Sequence, residues 1–337
     1  MKSHQITIKD IAKMLGISAS TVSRALKDHP DISTETKEKV KGLAKKLNYK
    51  PNAIALSLQS NRSRIIGIIV PQIVHHFFST VISGIEEYAA KKAYNIIITQ
   101  SNESSEKEID NCRTLLSGRV DGMIVSRTKD TEDFSHFRNV LKTGTPIVFF
   151  DRTCHGIKTD KVIIDDYKAA FEATEYLIKT GCKNLLHFSG PENLKISSKR
   201  MWGFADALKR NGFNFDENLI LQADTFKKGK ELIFKLHKEG KLPDGIFTVN
   251  DMTAAGVLNA LNELNVKVPG EVSVFGFTNG IISKMTYPQL STVEQNGYLM
   301  GYTAAEILIN KIENETEEIT TKIISTKLII RNSTKKI

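Results

Sequence analysis

Periodic apolar positions over residues 1–50 predict three short helices. Each predicted helix follows a hydroxyl-bearing residue that can cap its N-terminus, namely Thr7, Ser18 and Ser33. Gly16 ends the first helix, because glycine readily adopts the left-handed conformation that favours a helix C-terminus. A tight turn therefore joins the first two helices, and the first fifty residues are predicted to form an all-α helix-turn-helix unit.

From Arg64 onward, the pattern changes to short continuous apolar runs that alternate with helical patterns. Runs such as IIGIIVP, DGMIV and PIVFF are bounded by turn residues, which predicts parallel strands that are buried on both faces. Two successive series of strand–helix units predict two doubly wound parallel sheets, one in each of two α/β lobes.

These patterns divide the chain into three parts: a helix-turn-helix headpiece (1–50), a linker (51–63) and a two-lobed body (64–337). The linker contains NAIALSLQS, an amphipathic stretch of about two turns that is too short to be a stable helix by itself. We therefore expect this stretch to become helical only when its folding is coupled to other contacts. The first lobe is predicted to contain residues of about 64–164 plus 294–320, and the second about 165–291 plus 321–337.

The charge of the chain is concentrated near its N-terminus. The net charge is +9, and residues 1–64 hold 13 Lys and Arg against 5 Asp and Glu. The remaining residues hold 34 against 33 and are nearly neutral. This asymmetry indicates a basic module that binds a polyanion, joined to a body with a different task.

Several classes of protein are not favoured by the sequence. The three cysteines lack the spacing of a disulfide framework or a zinc site, so no metal is expected. No apolar run approaches the roughly 18 residues of a membrane span, and MKSHQITIKD lacks the apolar stretch of a secretory signal. We therefore expect a cytoplasmic protein with no membrane partner.

Catalytic motifs are not found either. The sequence has no Walker A, G-x-G-x-x-G or G-x-S-x-G pattern, so we expect no enzyme, no catalytic residue and no cofactor. Asp165 and Asp166 lie at a predicted strand-to-helix junction, and we interpret them as helix caps.

The second predicted helix carries groups that suit DNA. Ser18, Ser20, Thr21 and Ser23 offer hydroxyl groups and free backbone N–H groups to phosphates. Arg24, one turn further on, can reach a base edge in the major groove, where arginine to guanine is the commonest specific contact.

The segment TIKDIAKMLGISASTVSRAL resembles the helix-turn-helix of the lac repressor family. The resemblance extends over the whole chain through motifs in the family's order. They are Pro51-Asn52, DGMIV, DRT after a strand, R-x-x-GF at Arg200, TVND at 248–251 and PQLSTVEQ at 288–295. The resemblance implies a ligand-responsive transcriptional regulator, more specifically a repressor, with a body like a periplasmic sugar-binding protein.

The implied partners are double-stranded DNA with a pseudo-palindromic operator and a small effector, a sugar or sugar derivative. A homodimer is also expected, because one headpiece reads too few base pairs and a two-fold dimer reads a palindrome with two copies. By position in the family's motif, Ala19, Ser20 and Arg24 read bases. The phosphate contacts are assigned to Thr7, Thr21, Ser23, Ser33 and Asn52.

The linker resembles the family's hinge helix, in which a leucine enters the minor groove. Leu58 matches that wedge leucine, and apolar wedges between base steps can kink a duplex. Leu56 departs from the family, which often has arginine at this position. Packing of the linker onto the body remains an alternative.

The effector site is expected outside the carboxyl ends of the strands, in the cleft between the lobes. Residues at strand ends and residues that match the family's motifs give one candidate set: Phe77, Phe78, Ser126, Asp151, Arg152, Arg200, Trp202, Asn250, Asp251, Thr278 and Gln295. Thr278 departs from the family, which commonly has an aspartate there. An anionic sugar derivative is therefore one interpretation, since Arg152 and Arg200 are basic.

Two other functions stay open at this point. A sugar-binding protein without DNA function would predict a signal peptide and no basic headpiece. An α/β sugar-processing enzyme would need a phosphate loop or paired catalytic carboxylates. The sequence alone identifies neither the effector nor the operator, nor whether the effector induces or co-represses.

Overall fold

The computed structural model describes residues 6–49 and 62–337, and the chain divides into two compact units, Met1–Arg64 and Ile65–Ile337. The described helices of the first unit are Ile8–Leu15 (α1), Ala19–Leu26 (α2) and Thr34–Lys46 (α3). The three predicted helices are thus confirmed. Gly16 ends α1 with φ 65°, as its position predicted.

Side-chain caps begin each of these helices. The Thr7 side chain accepts a hydrogen bond from the Asp10 backbone N–H, and the Asp10 carboxylate accepts one from the Thr7 backbone N–H at 2.8 Å. Ser18 and Ser33 cap α2 and α3 by accepting from the backbone N–H groups of Thr21 and Thr36. The helices pack on a small core that includes Ile11, which is fully buried. Because the caps satisfy backbone N–H groups locally, these short helices begin where the sequence predicts.

The second unit is built on two parallel sheets. Its strands are Ile65–Val70 (β1), Asn95–Gln100 (β2), Gly122–Val125 (β3), Ile147–Phe150 (β4), Asp160–Ile164 (β5), Leu185–Ser189 (β6), Ile220–Gln222 (β7), Gly245–Thr248 (β8), Ser273–Phe275 (β9), Thr292–Glu294 (β10), Thr321–Ile324 (β11) and Lys327–Ile329 (β12). One sheet has the order β11-β5-β4-β3-β1-β2, and the other has the order β7-β6-β8-β9. We call them the sheets of the first and second lobes.

Helices cover the faces of both sheets. They are His76–Lys91 (α4), Ser105–Ser117 (α5), Ser135–Lys142 (α6), Asp166–Lys179 (α7), Lys195–Arg210 (α8), Phe226–Lys238 (α9), Asp251–Glu263 (α10), Ile282–Met285 (α11) and Gly297–Asn314 (α12). Helices α4, α5, α6 and α12 belong to the first lobe, and α7 to α10 belong to the second. The predicted two-lobed parallel α/β body is confirmed.

Within residues 62–337, the chain passes between the lobes three times: after β5, between β9 and α12, and after β11. Strands β10 and β12 form an antiparallel pair in this crossover region. Ser291, which directly precedes β10, forms a parallel bridge with Phe275 at the end of β9. The crossover therefore adjoins the β9 side of the second sheet.

The predicted lobe boundary is wrong near the C-terminus. Residues 321–337 were assigned to the second lobe, yet Thr321–Ile324 pairs with β5 in the first sheet. Only later residues return to the second lobe, where the Val274 backbone N–H donates to Ser333 O at 2.8 Å. An isolated apolar run does not reveal which sheet it will join, because the pairing is made with a strand about 160 residues away.

In the single chain, β2 does not meet the expectation that all strands are buried on both faces. Ile97 and Ile98 are 40% and 39% exposed. Strand β2 is at the edge of the first sheet, so it has a neighbouring strand on one side only. Continuous apolar runs therefore overestimate burial at the edges of a sheet.

Two glycines allow α4 and α12 to cross closely. A Cβ atom added at Gly84 would lie 2.0 Å from Tyr298 O, and one added at Gly301 would lie 1.9 Å from Val81 O. No side chain fits at such distances, so the helices meet backbone to backbone. This contact fixes α12 on the first lobe.

Candidate functional site

Helix α2 presents polar groups on the surface of the headpiece. Ser20 and Arg24 are exposed, and Ala19, Thr21 and Ser23 are half-buried. Val22 and Ala25 point into the core and hold the helix in this orientation. The predicted base-reading side chains Ala19, Ser20 and Arg24 are therefore not part of the buried core.

The N-terminus of α2 has no acidic residue in its first turn. The Ser18 hydroxyl shares hydrogen bonds with the Ser20 and Thr21 hydroxyls at 2.7 and 2.8 Å, and caps the helix. The Arg24 guanidinium makes no hydrogen bond or ion pair with any residue that the structure describes, 6–49 and 62–337. The helix end thus has the polarity that favours a phosphate, with an uncommitted guanidinium one turn away.

Two other predicted phosphate contacts, Thr7 and Ser33, are exposed caps of α1 and α3. Asn52 and Leu58 lie outside the described residues, and the assignments made for them remain predictions.

A cleft of about 730 Å³ lies between the two lobes of the body. Its walls are the segments that follow the carboxyl ends of the strands, as expected for parallel sheets. Most of the predicted effector residues line it: Phe77, Phe78, Asp151, Arg152, Arg200, Asn250, Asp251, Thr278 and Gln295.

Asp151 follows β4 and has an unusual backbone conformation. Its φ is 54°, in the left-handed region that few residues other than glycine adopt, and its side chain is buried at the cleft wall. Burial raises the pKa of Asp151, against the opposing charges of Arg152 and Arg200. The Arg152 Nε lies 4.0 Å from Asp151 Oδ2, which is beyond hydrogen-bond distance. This carboxylate therefore keeps acceptor capacity that faces the cleft.

Thr278 and Gln295 form one polar unit beside Asp151. The Thr278 hydroxyl donates to Gln295 Oε1 at 2.9 Å, and the Gln295 side chain is close enough to lower the pKa of Asp151. Thr278 has φ 129°, which is rare for a residue with a side chain. Backbone strain at both Thr278 and Asp151 is typical of positions that bind ligands.

Arg200 is paired within the second lobe. Its Nε donates to Asp166 Oδ1 at 2.9 Å, its Nη2 lies 2.8 Å from the same oxygen, and its Nη1 donates to Val249 O at 2.6 Å. The guanidinium also stacks on Phe277, with 3.6 Å from Cζ to the ring centroid. Burial raises the pKa of Asp166 to about 6. Asp165 caps α7, but Asp166 does not act as a cap, so the capping interpretation is correct only for Asp165.

Asn250 and Asp251 line the cleft with side chains that are committed elsewhere. Asn250 Oδ1 accepts from the Thr253 backbone N–H at 2.8 Å and caps α10. Asp251 Oδ2 accepts from the Gly280 backbone N–H at 2.7 Å, and its Oδ1 accepts from the Thr292 hydroxyl at 2.6 Å. Burial raises the pKa of Asp251 to about 6. These two residues therefore hold the loops of the cleft together.

Arg152 pairs with Glu103 across the first lobe. Its Nη1 donates to both carboxylate oxygens of Glu103, at 2.8 and 3.0 Å. The Arg152 Nε is buried without a hydrogen-bond partner among the described residues, and the same is true of the Ser197 hydroxyl on the opposite wall. Buried polar atoms of this kind are normally satisfied, so both indicate a polar ligand or water.

Two predicted effector residues do not line the cleft. Trp202 is 54% exposed, because two residues further along α8 correspond to a rotation of about 200° away from the inward-facing Arg200. Ser126 is fully buried within the first lobe, where its backbone N–H donates to Ile69 O and extends the β3–β1 ladder. The structure therefore does not place Trp202 or Ser126 on the cleft wall, and their assignment to effector binding remains a prediction.

Polar residues that line or support the cleft and were not predicted to do so include Glu103, Lys129, Asp166, Ser197 and Asp224. Glu103, Lys129 and Asp224 each lie within four residues of a strand end, so a wider window at each strand end would have found them. Ser197 and Asp166 lie on helices, and no local signal separates them from surface residues.

Comparison with known proteins agrees with this architecture. Residues 63–332 match the family model described as periplasmic binding proteins and sugar binding domain of LacI family. Residues 7–52 match the model of bacterial regulatory proteins, lacI family. No helix among residues 6–49 and 62–337 has both the length and the apolar character needed to cross a membrane.

Individual relatives match over most of their length. The chain is 32% identical to catabolite control protein A of Priestia megaterium, over 98% of this chain and 99% of that protein. A LacI-type regulator from Alkaliphilus metalliredigens QYMF, solved with D-xylulofuranose, is 32% identical over 80% of this chain and 99% of that chain, with a TM-score of 0.70. The lac repressor dimer, solved with operator and the anti-inducer ONPF, shares the fold at 23% identity and a TM-score of 0.87, over 98% and 99% of the chains. This chain therefore belongs to the LacI family of bacterial transcriptional regulators, in which a DNA-binding helix-turn-helix is joined to a ligand-binding body.

Proposed function

We propose that this regulator is a repressor that binds a pseudo-palindromic operator through α2 and is controlled by a neutral, hydroxyl-rich effector in the cleft. The observation that carries the effector class is that each Lys and Arg lining the cleft among the described residues lies within 3.8 Å of a carboxylate oxygen. Because its target is chromosomal DNA, the protein acts in the cytoplasm.

DNA recognition is assigned to the exposed face of α2. Arg24 reads a base edge, since its guanidinium has no partner among the described residues and arginine pairs well with guanine. Ala19 and Ser20 have small side chains and supply at most modest contacts to bases. The phosphate contacts are assigned to hydroxyl groups and one amide that flank this face: Thr7, Thr21, Ser23, Ser33 and Asn52.

The effector is proposed to be neutral because the cleft has no free positive charge to offer among the described residues. Each of these cations has a side-chain nitrogen close to a carboxylate oxygen. The nitrogen-to-oxygen distances are 3.6 Å for Lys129 and Asp224, 2.8 Å for Arg152 and Glu103, 2.8 Å for Arg200 and Asp166, and 3.8 Å for Lys227 and Glu231. Burial lowers the pKa of His75, so it adds no charge near neutral pH. An anionic sugar would also face the Asp151 carboxylate.

Hydroxyl groups satisfy the remaining groups on the wall. Asp151 accepts from ligand hydroxyls, and the unpaired Arg152 Nε and Ser197 Oγ find partners. Phe77 and Phe78 provide an aromatic surface for the apolar face of a sugar ring, with ring centroids 5.3 Å apart. A neutral sugar is also the ligand named for the Alkaliphilus metalliredigens relative.

Thermal shift and operator-release assays test this class. The panel contains neutral pentoses, hexoses and disaccharides, with sugar phosphates and uronic acids as the anionic set. We expect stabilisation by a neutral member, its loss in Asp151→Asn, and release of operator DNA in a mobility-shift assay. Stabilisation by the anionic set alone would overturn the proposal.

A homodimer is proposed because a palindromic operator requires two headpieces. The apolar edge residues Ile97 and Ile98 are one surface that a second copy would cover. Sedimentation velocity checks the dimer.

Leu58 is proposed to enter the minor groove between the hinge segments of the two subunits. A Leu58→Ala variant should bend operator DNA less, while its effector binding is unchanged.

A further inference from the structure

Four residues connect the two lobes across the mouth of the cleft. Arg127 Nη2 donates to Asn193 O at 2.8 Å, and Asn193 Nδ2 donates to the backbone oxygen of Lys129. Lys129 Nζ lies 3.6 Å from Asp224 Oδ2. We call Arg127, Lys129, Asn193 and Asp224 the rim clasp.

The rim clasp is far from the crossover between the lobes. Arg127 and Lys129 follow β3 of the first sheet, whereas Asn193 follows β6 and Asp224 follows β7. In the second sheet β7 is the edge strand opposite β9, and β9 is the strand that adjoins the crossover. Contacts at this edge therefore act at the end of the cleft that would separate most if the lobes rotated about the crossover.

The first-lobe half of the rim clasp is held rigidly. Glu108, which is fully buried, accepts from the Thr128 backbone N–H at 2.7 Å and from the Thr131 hydroxyl at 2.6 Å. Arg127 Nη1 donates to the backbone oxygens of the same two residues, at 3.1 and 2.9 Å. This buried network anchors the loop, so the contacts to the second lobe are made by a preorganised surface.

The contacts between the two halves of the rim clasp are partly exposed to solvent. Asn193 is exposed, and Asp224 also pairs with Lys228 of its own lobe at 2.6 Å. Lys129 keeps 33% of its side chain exposed, and Asp224 keeps 14%. Partly exposed pairs contribute little each, so the rim clasp can bias the lobes toward closure and still open spontaneously.

We propose that Arg127 and Lys129 are positioning residues that hold the lobes closed, so that opening of the rim clasp gates passage of the effector. The consequence for the effector rests on the proposed function of the cleft. The closure of the lobes by the rim clasp does not rest on that function, because it is a property of the chain without ligand.

Single-molecule energy transfer measures the closure in the full, ligand-free chain. Dyes are placed at Lys142→Cys and Lys238→Cys, which are exposed positions on the first and second lobes. The natural cysteines Cys112, Cys154 and Cys182 are buried. The labelled chain is mixed with an excess of unlabelled chain, so that each assembly carries one dye pair.

Lys129→Met and Lys228→Met form a matched pair of variants. Each removes one lysine from Asp224, but only Lys129 reaches across the cleft. Lys129→Met should raise the ratio of open to closed molecules about two- to fivefold, and Lys228→Met should leave it unchanged. Asn193→Asp, an isosteric change at an exposed residue, should also open the cleft, because it places a carboxylate oxygen against the Lys129 carbonyl.

Salt provides a readout that a purely structural role would not change. Between about 0.1 M and about 1 M NaCl the screening length falls from about 10 Å to about 3 Å. The open fraction should rise over this range in the wild type and stay constant in Lys129→Met.

The rim clasp would be overturned if Lys129→Met and Lys228→Met raised the open fraction equally. It would also be overturned if the distance between the dyes were unchanged in both Lys129→Met and Asn193→Asp. Neither result affects the effector assignment, which is tested separately by ligand binding.

Discussion

Arg200 and Asp166 form a buried ion pair in the second lobe, with Nη2 and Oδ1 2.8 Å apart and both side chains about 95% shielded from solvent. Arg200 was expected to bind the effector, and it does line the cleft. Its charge is nevertheless balanced inside the protein. An alanine substitution at Arg200 therefore leaves the buried Asp166 carboxylate without its ion-pair partner.

The stability of Arg200→Met should depend on pH. Without the guanidinium, Asp166 is a buried carboxyl whose folded pKa, already about 6, rises further above its unfolded value of 3.8. Charging the Asp166 carboxyl inside the fold lowers the free energy of unfolding, and this loss grows as pH rises through the folded pKa. We expect a loss of about 3 kcal/mol or more in the free energy of unfolding near pH 8, and a smaller loss near pH 5. Urea unfolding measures both.

The control for this experiment adds Asp166→Asn to Arg200→Met. The double variant has neither charge of this pair, so it should recover stability at pH 8 and gain little at pH 5. Equal losses at both pH values in Arg200→Met would show that the pair contributes through packing alone.

His187 should make the fold sensitive to acid. It is fully buried, its Nδ1 lies 3.0 Å from Phe247 O, and burial lowers the pKa of His187 to about 4. The unfolded chain binds a proton near pH 6.5, whereas the native state does not, so the free energy of unfolding falls as pH drops from about 6.5 towards 4. The full effect of such a shift is about 3 kcal/mol.

The contribution of His187 is isolated by comparing the wild type with His187→Asn, since the raised pKa values of Asp166 and Asp251 act with the opposite sign in the same range. Asparagine can still donate to the Phe247 oxygen but does not titrate. Denaturant unfolding from pH 7 to pH 4.5 should show a weaker dependence in the variant. Parallel curves would contradict the prediction, and the exposed His237→Asn serves as control.

Arg24→Ala should weaken binding to the cognate operator by roughly 1–3 kcal/mol and relax the preference at one base pair in each half-site. Weak binding to unrelated DNA should largely persist, because phosphate contacts supply it. Selection from random DNA measures the preference. Arg24→Lys keeps the charge without the planar fork, so it should retain affinity better than specificity. An unchanged preference in Arg24→Ala would remove this residue from base reading.

The fluorescence of Trp202 should report exposure rather than ligand. The side chain is 54% exposed and lies outside the cleft, so acrylamide should quench it efficiently in the native chain. Addition of an effector found in the thermal-shift panel should leave that quenching nearly unchanged. Strong protection from acrylamide on effector binding would place Trp202 against the ligand and contradict the orientation of α8.

Local features of this protein could be read from its sequence because their causes are local. Thr7, Ser18 and Ser33 cap helices by accepting from backbone N–H groups three residues away, and Gly16 adopts the left-handed conformation. Apolar periodicity likewise predicted the strands and helices of the body. Parallel sheets place their carboxyl ends at a common edge, so residues that follow strands, such as Asp151 and Thr278, were correctly assigned to the cleft wall.

Tertiary structure decided the features that depend on contacts between distant residues. Three contacts show this. Arg200 pairs with Asp166 across 34 positions, β11 joins β5 across about 160, and Arg127 contacts Asn193 across 66. No local pattern encodes these partners. Trp202 was placed in the cleft with Arg200 for a related reason. The spacing along α8 fixes the angle between these two side chains, but only packing decides which face of the helix is buried.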